Sequence, residues 1–286
     1  MSTLRARMEA DLRIQNYRPS TQREYVRSVY HLARHFMKSP AEMGEEEVRA
    51  YLLHLVDDRR LSPSTLKVTT AALKFLYEVT LGRPEVVRSV RMPRTSVKLP
   101  VILGGSEVVR LFEAIESPKY RVIVMTAYGA GLRVGETCSL EISDIDSKRM
   151  VIRIRNGKGG RDRYAMLADR LLEALRTYYR LDRPPGPHLF PGQRPGTAVR
   201  PDSVRRVLEQ AVAKAGIKKP VTPHILRHTF ATHVLEAGGD IRTIQMLLGH
   251  RSIQTTQLYA QVSTDTIRRA KSPLDLLGTK EGEVLG

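Results

Sequence analysis

Apolar residues recur at helical spacing through the first ninety positions of the chain. The segment opened by Pro19 places Tyr25, Val29, Leu32 and Phe36 three to four residues apart, which is the pattern of a helix with one buried face. Comparable patterns and start signals predict four helices here, at residues 3–14, from residue 19, at residues 45–56 and from residue 63. The first part of the chain is therefore predicted to be a compact helical domain.

The helical pattern breaks between residues 91 and 100. Pro93 and Pro100 oppose helix formation, and the apolar residues near them follow no sustained period. We therefore expect one domain at residues 1–92, a linker at residues 93–100 and a second domain at residues 101–286.

The second part of the chain mixes helical and strand patterns. Its longest nearly apolar run, residues 122–132, is about half of the ~20 residues that a membrane-spanning helix needs, so it predicts a buried core helix. Residues 150–155 and 161–167 alternate in polarity on either side of a glycine-rich turn, which is typical of a β-hairpin. Further helices are predicted from residue 105 and at residues 168–182, 201–215, 223–237, 241–248 and 253–260, with a short basic helix and apolar tail at residues 264–277. The predicted fold class is mainly α with a small β-hairpin or sheet.

The net charge indicates the kind of binding partner, and the cysteine content bears on the cellular compartment. The chain of 286 residues has a formal net charge of +17, which points to a polyanionic partner. Its one cysteine, Cys138, can form neither a disulfide framework nor a Cys-rich zinc site within one chain. Because the first residues also lack the continuous apolar segment of a secretory signal, we expect a cytoplasmic protein without membrane association.

His224 and Arg227 lie three positions apart in a predicted helix, so both side chains project from one face and can converge on an anion. The alternative is an ordinary helix with a satisfied histidine and a surface arginine. A zinc pair of His224 and His228 is disfavoured, because the glutamate of the HExxH motif is absent and no cysteine lies nearby. No metal is therefore expected.

Arg133 follows a glycine-bearing turn, and Glu136 lies three residues further on, where its carboxylate can orient the guanidinium. An ordinary Arg/Glu helix pair is the competing interpretation.

Lys158 stands at the tip of the predicted hairpin, where neighbouring glycines permit close approach to a phosphate backbone. A nucleotide-binding P-loop is excluded because the GxxxxGK[ST] pattern is absent. Four arginines flank the turn and are expected to follow DNA phosphates, although a solvated charged hairpin is the alternative: Arg153, Arg155, Arg161 and Arg163.

Two candidates near the end of the chain complete an ordered set. His250 follows a glycine that closes a predicted helix, and Tyr259 lies nine residues later. The segments GLRVGE, GKGGRDR, HILRHTFATH and LLGH, with the tyrosine that follows them, resemble the motifs of the tyrosine recombinases, or phage integrase family. The resemblance covers essentially the whole chain and is greatest to Xer-type and compact transposon-borne members.

The resemblance implies a role for each matching residue. It makes Tyr259 the nucleophile, Arg133 and Arg227 the paired catalytic arginines, and Glu136 a supporting acid. Lys158 corresponds to the hairpin lysine, His224 to the first catalytic histidine and His250 to a position held by histidine or tryptophan. These residues would cut and rejoin DNA through a 3′-phosphotyrosyl intermediate. Neither ATP nor an essential metal is expected.

In this interpretation His224 is the proton acceptor or relay for Tyr259, whose phenol has a reference pKa of about 10, and Lys158 protonates the leaving 5′ oxygen. We expect Tyr259 in the free protein to be displaced from Arg133 and Arg227.

The resemblance further implies that the first domain binds DNA and that a tetramer acts on two duplexes with inverted-repeat-like sites. This assembly would be homo-oligomeric or formed with a related recombinase, through an exchange helix at residues 264–277. Chromosome partition in the nucleoid, integration and transposition remain open as tasks. A type IB topoisomerase and a non-catalytic DNA-binding regulator are the alternative functions.

Overall fold

The computed structural model describes residues 3–94, 99–155 and 162–249, together with residues 256 and 259. The chain divides into two compact units, residues 1–97 and 98–286. The division lies within the predicted linker.

The first unit is helical, as its apolar periodicity indicated. Its helices are α1 (Thr3–Ile14), α2 (Pro19–Phe36), α3 (Glu45–Asp57) and α4 (Pro63–Phe75), and α4 continues into a π-helical turn, Leu76–Thr80. The sequence explains where α4 starts. The Ser62 hydroxyl accepts a hydrogen bond from the Thr65 amide at 3.2 Å, and Pro63 lacks the N–H group that would have no partner within the helix at this position. Residues from all four helices, among them Met8, Leu32, Tyr51 and Leu73, form one buried core.

The second unit combines helices with a small sheet. Its helices are α5 (Gly105–Ala114), α6 (Pro118–Gly129), α7 (Val134–Cys138), α8 (Asp169–Asp182), α9 (Pro201–Lys214), α10 (Pro223–Glu236) and α11 (Ile241–Leu248). The apolar run at residues 122–132 was predicted to be a core helix; α6 confirms this, since Val122, Ile123 and Val124 are buried. Of the described helices, none has both the length and the apolar character needed to cross a bilayer.

The sheet is antiparallel, with strand order β1 (Ile145–Asp146), β2 (Val151–Ile154) and β3 (Arg163–Met166). The pairing of β2 with β3 confirms the predicted hairpin strands, whereas β1 was not predicted. In the register of β2 and β3, Ile152 opposes Ala165 and Ile154 opposes Arg163. Because opposed residues share a face and Ile152, Ile154 and Ala165 are buried, Arg163 belongs to the inner face of the sheet. The predicted turn at residues 156–160 lies outside the described residues.

Helix α10 occupies the interior of the second unit. The Thr222 side chain caps its first turn by accepting from the Ile225 amide at 3.4 Å, and Pro223 is its first residue. Successive turns bury Leu226, Arg227 and Phe230. A helix buried around most of its circumference fixes its side chains firmly, which suits it to carry the candidate histidines and arginine.

Candidate active site

Helix α10 places His224, Arg227 and His228 on one side, as their spacing predicted. Arg227 is 1% exposed, whereas His224 is exposed and His228 is half-buried. The two imidazole rings meet edge to face with centroids 4.3 Å apart. Along this side of the helix, exposure to solvent is high at His224 and very low at the cationic Arg227.

The Arg227 guanidinium bridges two chain segments. It donates to the carbonyl oxygen of Gly131 at 2.7 Å and to that of Leu248. Burial, reinforced by the charge of Arg133, lowers the pKa of Arg227 to about 10, so the side chain stays cationic at neutral pH. A buried cation fixed by carbonyls is a preorganised binding element for an anion.

Arg133 stands at the start of α7 and is held there by Glu136. Its Nη1 donates to Glu136 Oε1 at 2.7 Å, and its backbone amide donates to Glu136 Oε2 at 3.0 Å. The Arg133 side chain keeps 27% of its surface exposed. It therefore combines a fixed orientation with access from solvent.

Glu136 also lies close to two further arginines, Arg163 and Arg227. Arg163 donates to both carboxylate oxygens, at 3.0 and 2.8 Å, and Arg227 Nη1 lies 3.9 Å from Oε2. Burial alone would raise the pKa of Glu136, but hydrogen bonds from Arg163 and the Arg133 amide and the charges of both arginines hold it at about 2. Three guanidiniums around one carboxylate leave an excess of positive charge, which suits a phosphate.

Arg163 lies elsewhere than the sequence suggested. It was predicted to follow DNA phosphates, yet its side chain is 12% exposed and its Nε donates to the Leu247 carbonyl at 3.2 Å. Its stem also crosses Gly249, where a Cβ atom would come within 2.8 Å of Arg163 Cδ. Arg163 thus supports Glu136 and the end of α11, and it is not available on the outer face of the sheet.

Arg153 and Arg155 each have an acidic partner. Arg153 Nη2 lies 2.8 Å from Asp162, and both side chains are about half exposed. Arg155 Nη2 contacts Glu141 at 2.7 Å and Asp144 at 2.9 Å. Their role as DNA contacts stays a prediction, as do the roles of Lys158, Arg161 and His250, which lie outside the described residues.

The Tyr259 side chain is buried beside α10. It is 1% exposed and packs in a cluster with Phe230, Ala231, Ile244 and Leu248. Burial raises the pKa of its hydroxyl, and the charges of Arg227 and Arg133 oppose that rise. The hydroxyl therefore lies within electrostatic reach of both arginines, whereas we expected it to be displaced from them.

His228 contacts the Tyr259 hydroxyl, and sequence reasoning missed this contact. Its Nδ1 lies 3.1 Å from the Tyr259 oxygen, and the ring centroids are 5.5 Å apart. The sequence suggested His228 only as half of a disfavoured zinc pair. Within the described ranges, no group of three or more His, Cys, Asp or Glu side chains is arranged to hold a metal ion.

Comparisons with known proteins agree in pointing to one family. Residues 102–265 match the model of the phage integrase family, and residues 4–85 match the model of the phage integrase N-terminal SAM-like domain. A putative integrase/recombinase of Sinorhizobium fredii, y4qK, is 44% identical over 278 residues, which are 97% of this chain and 90% of that protein. The tyrosine recombinase XerA of Pyrococcus furiosus is 41% identical over 219 residues, covering 74% of this chain and 75% of XerA.

Solved structures show the same likeness. The crystal structure of a XerA recombinase matches with a TM-score of 0.55 at 31% identity, over 98% of this chain and 100% of that one. A lambda integrase dimer bound to a core site matches with a TM-score of 0.73 at 19% identity, over 100% and 99%, a likeness of fold.

Proposed function

This chain belongs to the phage integrase family and is an Xer-like tyrosine recombinase, and from that premise we propose that it recombines DNA at specific sites through a 3′-phosphotyrosyl intermediate. The observation that carries the proposal is the position of the Tyr259 hydroxyl. It lies beside a histidine and within reach of the charges of Arg227 and Arg133. This arrangement supports a site in which a tyrosine nucleophile acts beside anion-binding groups.

Cleavage exchanges one phosphate ester for another. The Tyr259 oxygen forms a bond to phosphorus, the bond from phosphorus to the 5′ oxygen breaks, and the 5′ hydroxyl leaves with a proton from Lys158. The 5′ hydroxyl of a partner strand reverses the step and releases the tyrosine. Since the ester energy is kept in the protein linkage, the reaction draws on no ATP.

The arginines supply the electrostatic part of catalysis. Arg133 and Arg227 bind the non-bridging oxygens, where negative charge accumulates in the five-coordinate transition state. Glu136 keeps Arg133 in place through the 2.7 Å contact, so little reorganisation is needed when DNA binds. We assign His250 to a hydrogen bond with the same phosphate, and the family motif assigns His224 to the proton of Tyr259.

The proposed substrate is duplex DNA with an inverted-repeat-like site. The net charge of +17 supports a polyanionic partner. Among the structural relatives, XerH was solved on a palindromic difH substrate and lambda integrase as a tetramer on a Holliday junction. By analogy we propose a tetramer on two duplexes, formed by this chain alone or with a related recombinase, with residues 264–277 exchanged between neighbours.

We further propose that the enzyme works in the cytoplasm on nucleoid DNA. Its task is chromosome partition, integration or transposition, and candidate sites are correspondingly the chromosomal dimer-resolution site and the junctions of a mobile element. Recombination of a plasmid carrying two copies of each site identifies the task, because only the cognate pair is exchanged.

Covalent trapping on nicked duplexes tests the chemistry. A nick close to the cleavage point lets the short 5′ fragment diffuse away, so the protein stays joined to the 3′ end. We expect a denaturant-resistant adduct with the wild type and with Tyr164→Phe, a control at an exposed tyrosine, and none with Tyr259→Phe. An adduct that persists in Tyr259→Phe contradicts the proposal. Relaxation of a supercoiled plasmid without strand exchange indicates a topoisomerase instead.

A further inference from the structure

We propose that His228 accepts the phenolic proton of Tyr259 during strand cleavage. This inference rests on the proposed function and assigns its nucleophile-activating step to a residue other than the one that the sequence pattern suggested.

The contact geometry favours His228. Its Nδ1 lies at hydrogen-bond distance, 3.1 Å, from the Tyr259 hydroxyl oxygen, the atom that attacks phosphorus. The Tyr259 ring is fixed by the apolar cluster around Phe230 and Leu248, so packing holds its hydroxyl next to the imidazole. A proton acceptor must lie within this distance of the proton that it takes.

The charge state of His228 also suits an acceptor. Burial, followed by the neighbouring His224 and Arg227, lowers the pKa of His228 to about 4. The imidazole is therefore neutral at physiological pH, and a neutral ring with its proton on Nε2 leaves Nδ1 as an acceptor for the phenol.

DNA binding strengthens the same base. A phosphate held by Arg133 and Arg227 brings negative charge next to these cations. This charge offsets the effect of Arg227 on His228, so the pKa of His228 rises. His228 then takes a proton more readily than in the free protein. The base thus becomes stronger when the scissile phosphate is in place.

Exposure separates the roles of the two histidines. His224 is exposed, one helical turn before the half-buried His228, and so can contact a phosphate that approaches from solvent. In the complete step the bond from Tyr259 oxygen to phosphorus forms and the bond from phosphorus to O5′ breaks. The phenolic proton goes to His228 Nδ1, and O5′ receives a separate proton from Lys158.

The test compares His228→Asn with the same substitution at the neighbouring histidine, His224→Asn, on two nicked duplexes. Asparagine places a polar atom near the position of Nδ1 but cannot take the proton. One duplex has the natural 5′ oxygen at the scissile phosphate, and the other has a bridging 5′ sulfur, which leaves as a thiolate without protonation. Single-turnover adduct formation is measured with wild type, both variants and Lys158→Ala.

We expect His228→Asn to cleave both duplexes more slowly, by roughly 100-fold or more, the usual contribution of a general base. Lys158→Ala should recover on the sulfur duplex, because that leaving group needs no acid. Recovery of His228→Asn on sulfur overturns the proposal by placing His228 on the leaving-group side. Cleavage by His228→Asn at the wild-type rate overturns it as well.

Raising the pH separates proton transfer from a structural role. The charges of Arg227 and Arg133 lower the pKa of the Tyr259 hydroxyl, and those of His224 and Arg227 lower the pKa of His228. In the His228→Asn variant, Tyr259 loses its proton to solvent without a base as the pH approaches the pKa of Tyr259. The rate ratio of wild type to His228→Asn should therefore shrink between about pH 7 and pH 9.5. A constant ratio indicates lost positioning only and overturns the proposal.

Failure of this inference is distinguishable from failure of the proposed function. If the proposed phosphotyrosyl chemistry is wrong, the wild type forms no adduct that depends on Tyr259 on either duplex. If only the inference is wrong, the wild-type adduct forms and His228→Asn behaves as described for the overturning outcomes. Thermal melting and salt-dependent DNA binding of each variant show that the fold is retained.

Discussion

Glu136 is the residue on which the positions of the arginines depend. Its carboxylate accepts from Arg133 and Arg163 and lies 3.9 Å from Arg227. Removing one partner of a buried ion pair typically costs about 3–5 kcal/mol, because the remaining charges lose their compensation. We expect Glu136→Gln to lower the free energy of unfolding by this order and to slow adduct formation.

The stabilising effect of Glu136 should depend on pH. Its pKa in the folded protein is about 2, below the ordinary 4.5, so the contribution is complete above about pH 4.5 and is lost as the pH falls toward 2. Urea unfolding of wild type and Glu136→Gln at pH 7 and near pH 3 measures this, and the difference between the proteins should be smaller at the lower pH. Glu116→Gln, at a site 83% exposed, is the surface control. A difference that stays constant over this range contradicts the prediction.

At the scale of elements, the end of α11 is fixed by two arginines from different parts of the unit. Arg163 on β3 donates to the Leu247 carbonyl, and Arg227 on α10 donates to the Leu248 carbonyl. These are among the final carbonyls of a helix, which lack partners within it. The helix therefore ends at a defined place directly before the segment that carries His250 and Tyr259.

Gly249→Ala should disturb this helix end. Gly249 has φ +63, and an added Cβ would also approach Arg163, so we expect a loss of about 1–2 kcal/mol from the left-handed backbone and a further loss from the collision. Gly216→Ala is a matched control, since Gly216 has φ +64 with open space around its Cβ position. Melting curves of both variants separate the two causes. Equal losses show that Arg163 yields at no cost.

The longer elements were predictable because each spans several periods of its apolar pattern. The five residues of α7 and the two of β1 are too short for periodicity to reveal. The inward position of Arg163 was accessible from sequence, since it alternates in step with Ala165 and Leu167. The pairing of His228 with Tyr259 was not, because it joins residues 31 positions apart through the packing of the whole unit.

At the scale of the whole molecule, basic residues outnumber acidic residues both in residues 1–92 and in the rest of the chain. Binding that neutralises many phosphates releases counterions and weakens steeply with salt, by about 10³–10⁵-fold between ~50 and ~200 mM for six to ten contacts. We expect this salt dependence for DNA binding by the full chain, and we expect exposed cations to contribute most of it.

Because Arg153 is exposed, Arg153→Ala should reduce the slope of log affinity against log salt by about 1 and leave the free energy of unfolding nearly unchanged. Arg163→Ala should do the reverse, with an unchanged slope and a clear loss of stability. Fluorescence anisotropy on labelled duplexes at several salt concentrations, with urea unfolding, measures both. A reduced slope in Arg163→Ala contradicts the division between the two faces of the sheet.

The burial of Tyr259 has a consequence for the chemical reactivity of the free enzyme. Reagents that nitrate or iodinate phenols reach exposed rings first, and Tyr30 and Tyr164 are at least half exposed whereas Tyr259 is 1% exposed. The Tyr259 phenol is therefore shielded from such reagents in the free protein. We therefore expect Tyr259 of the free enzyme to remain unmodified after such reagents have reacted with Tyr30 and Tyr164.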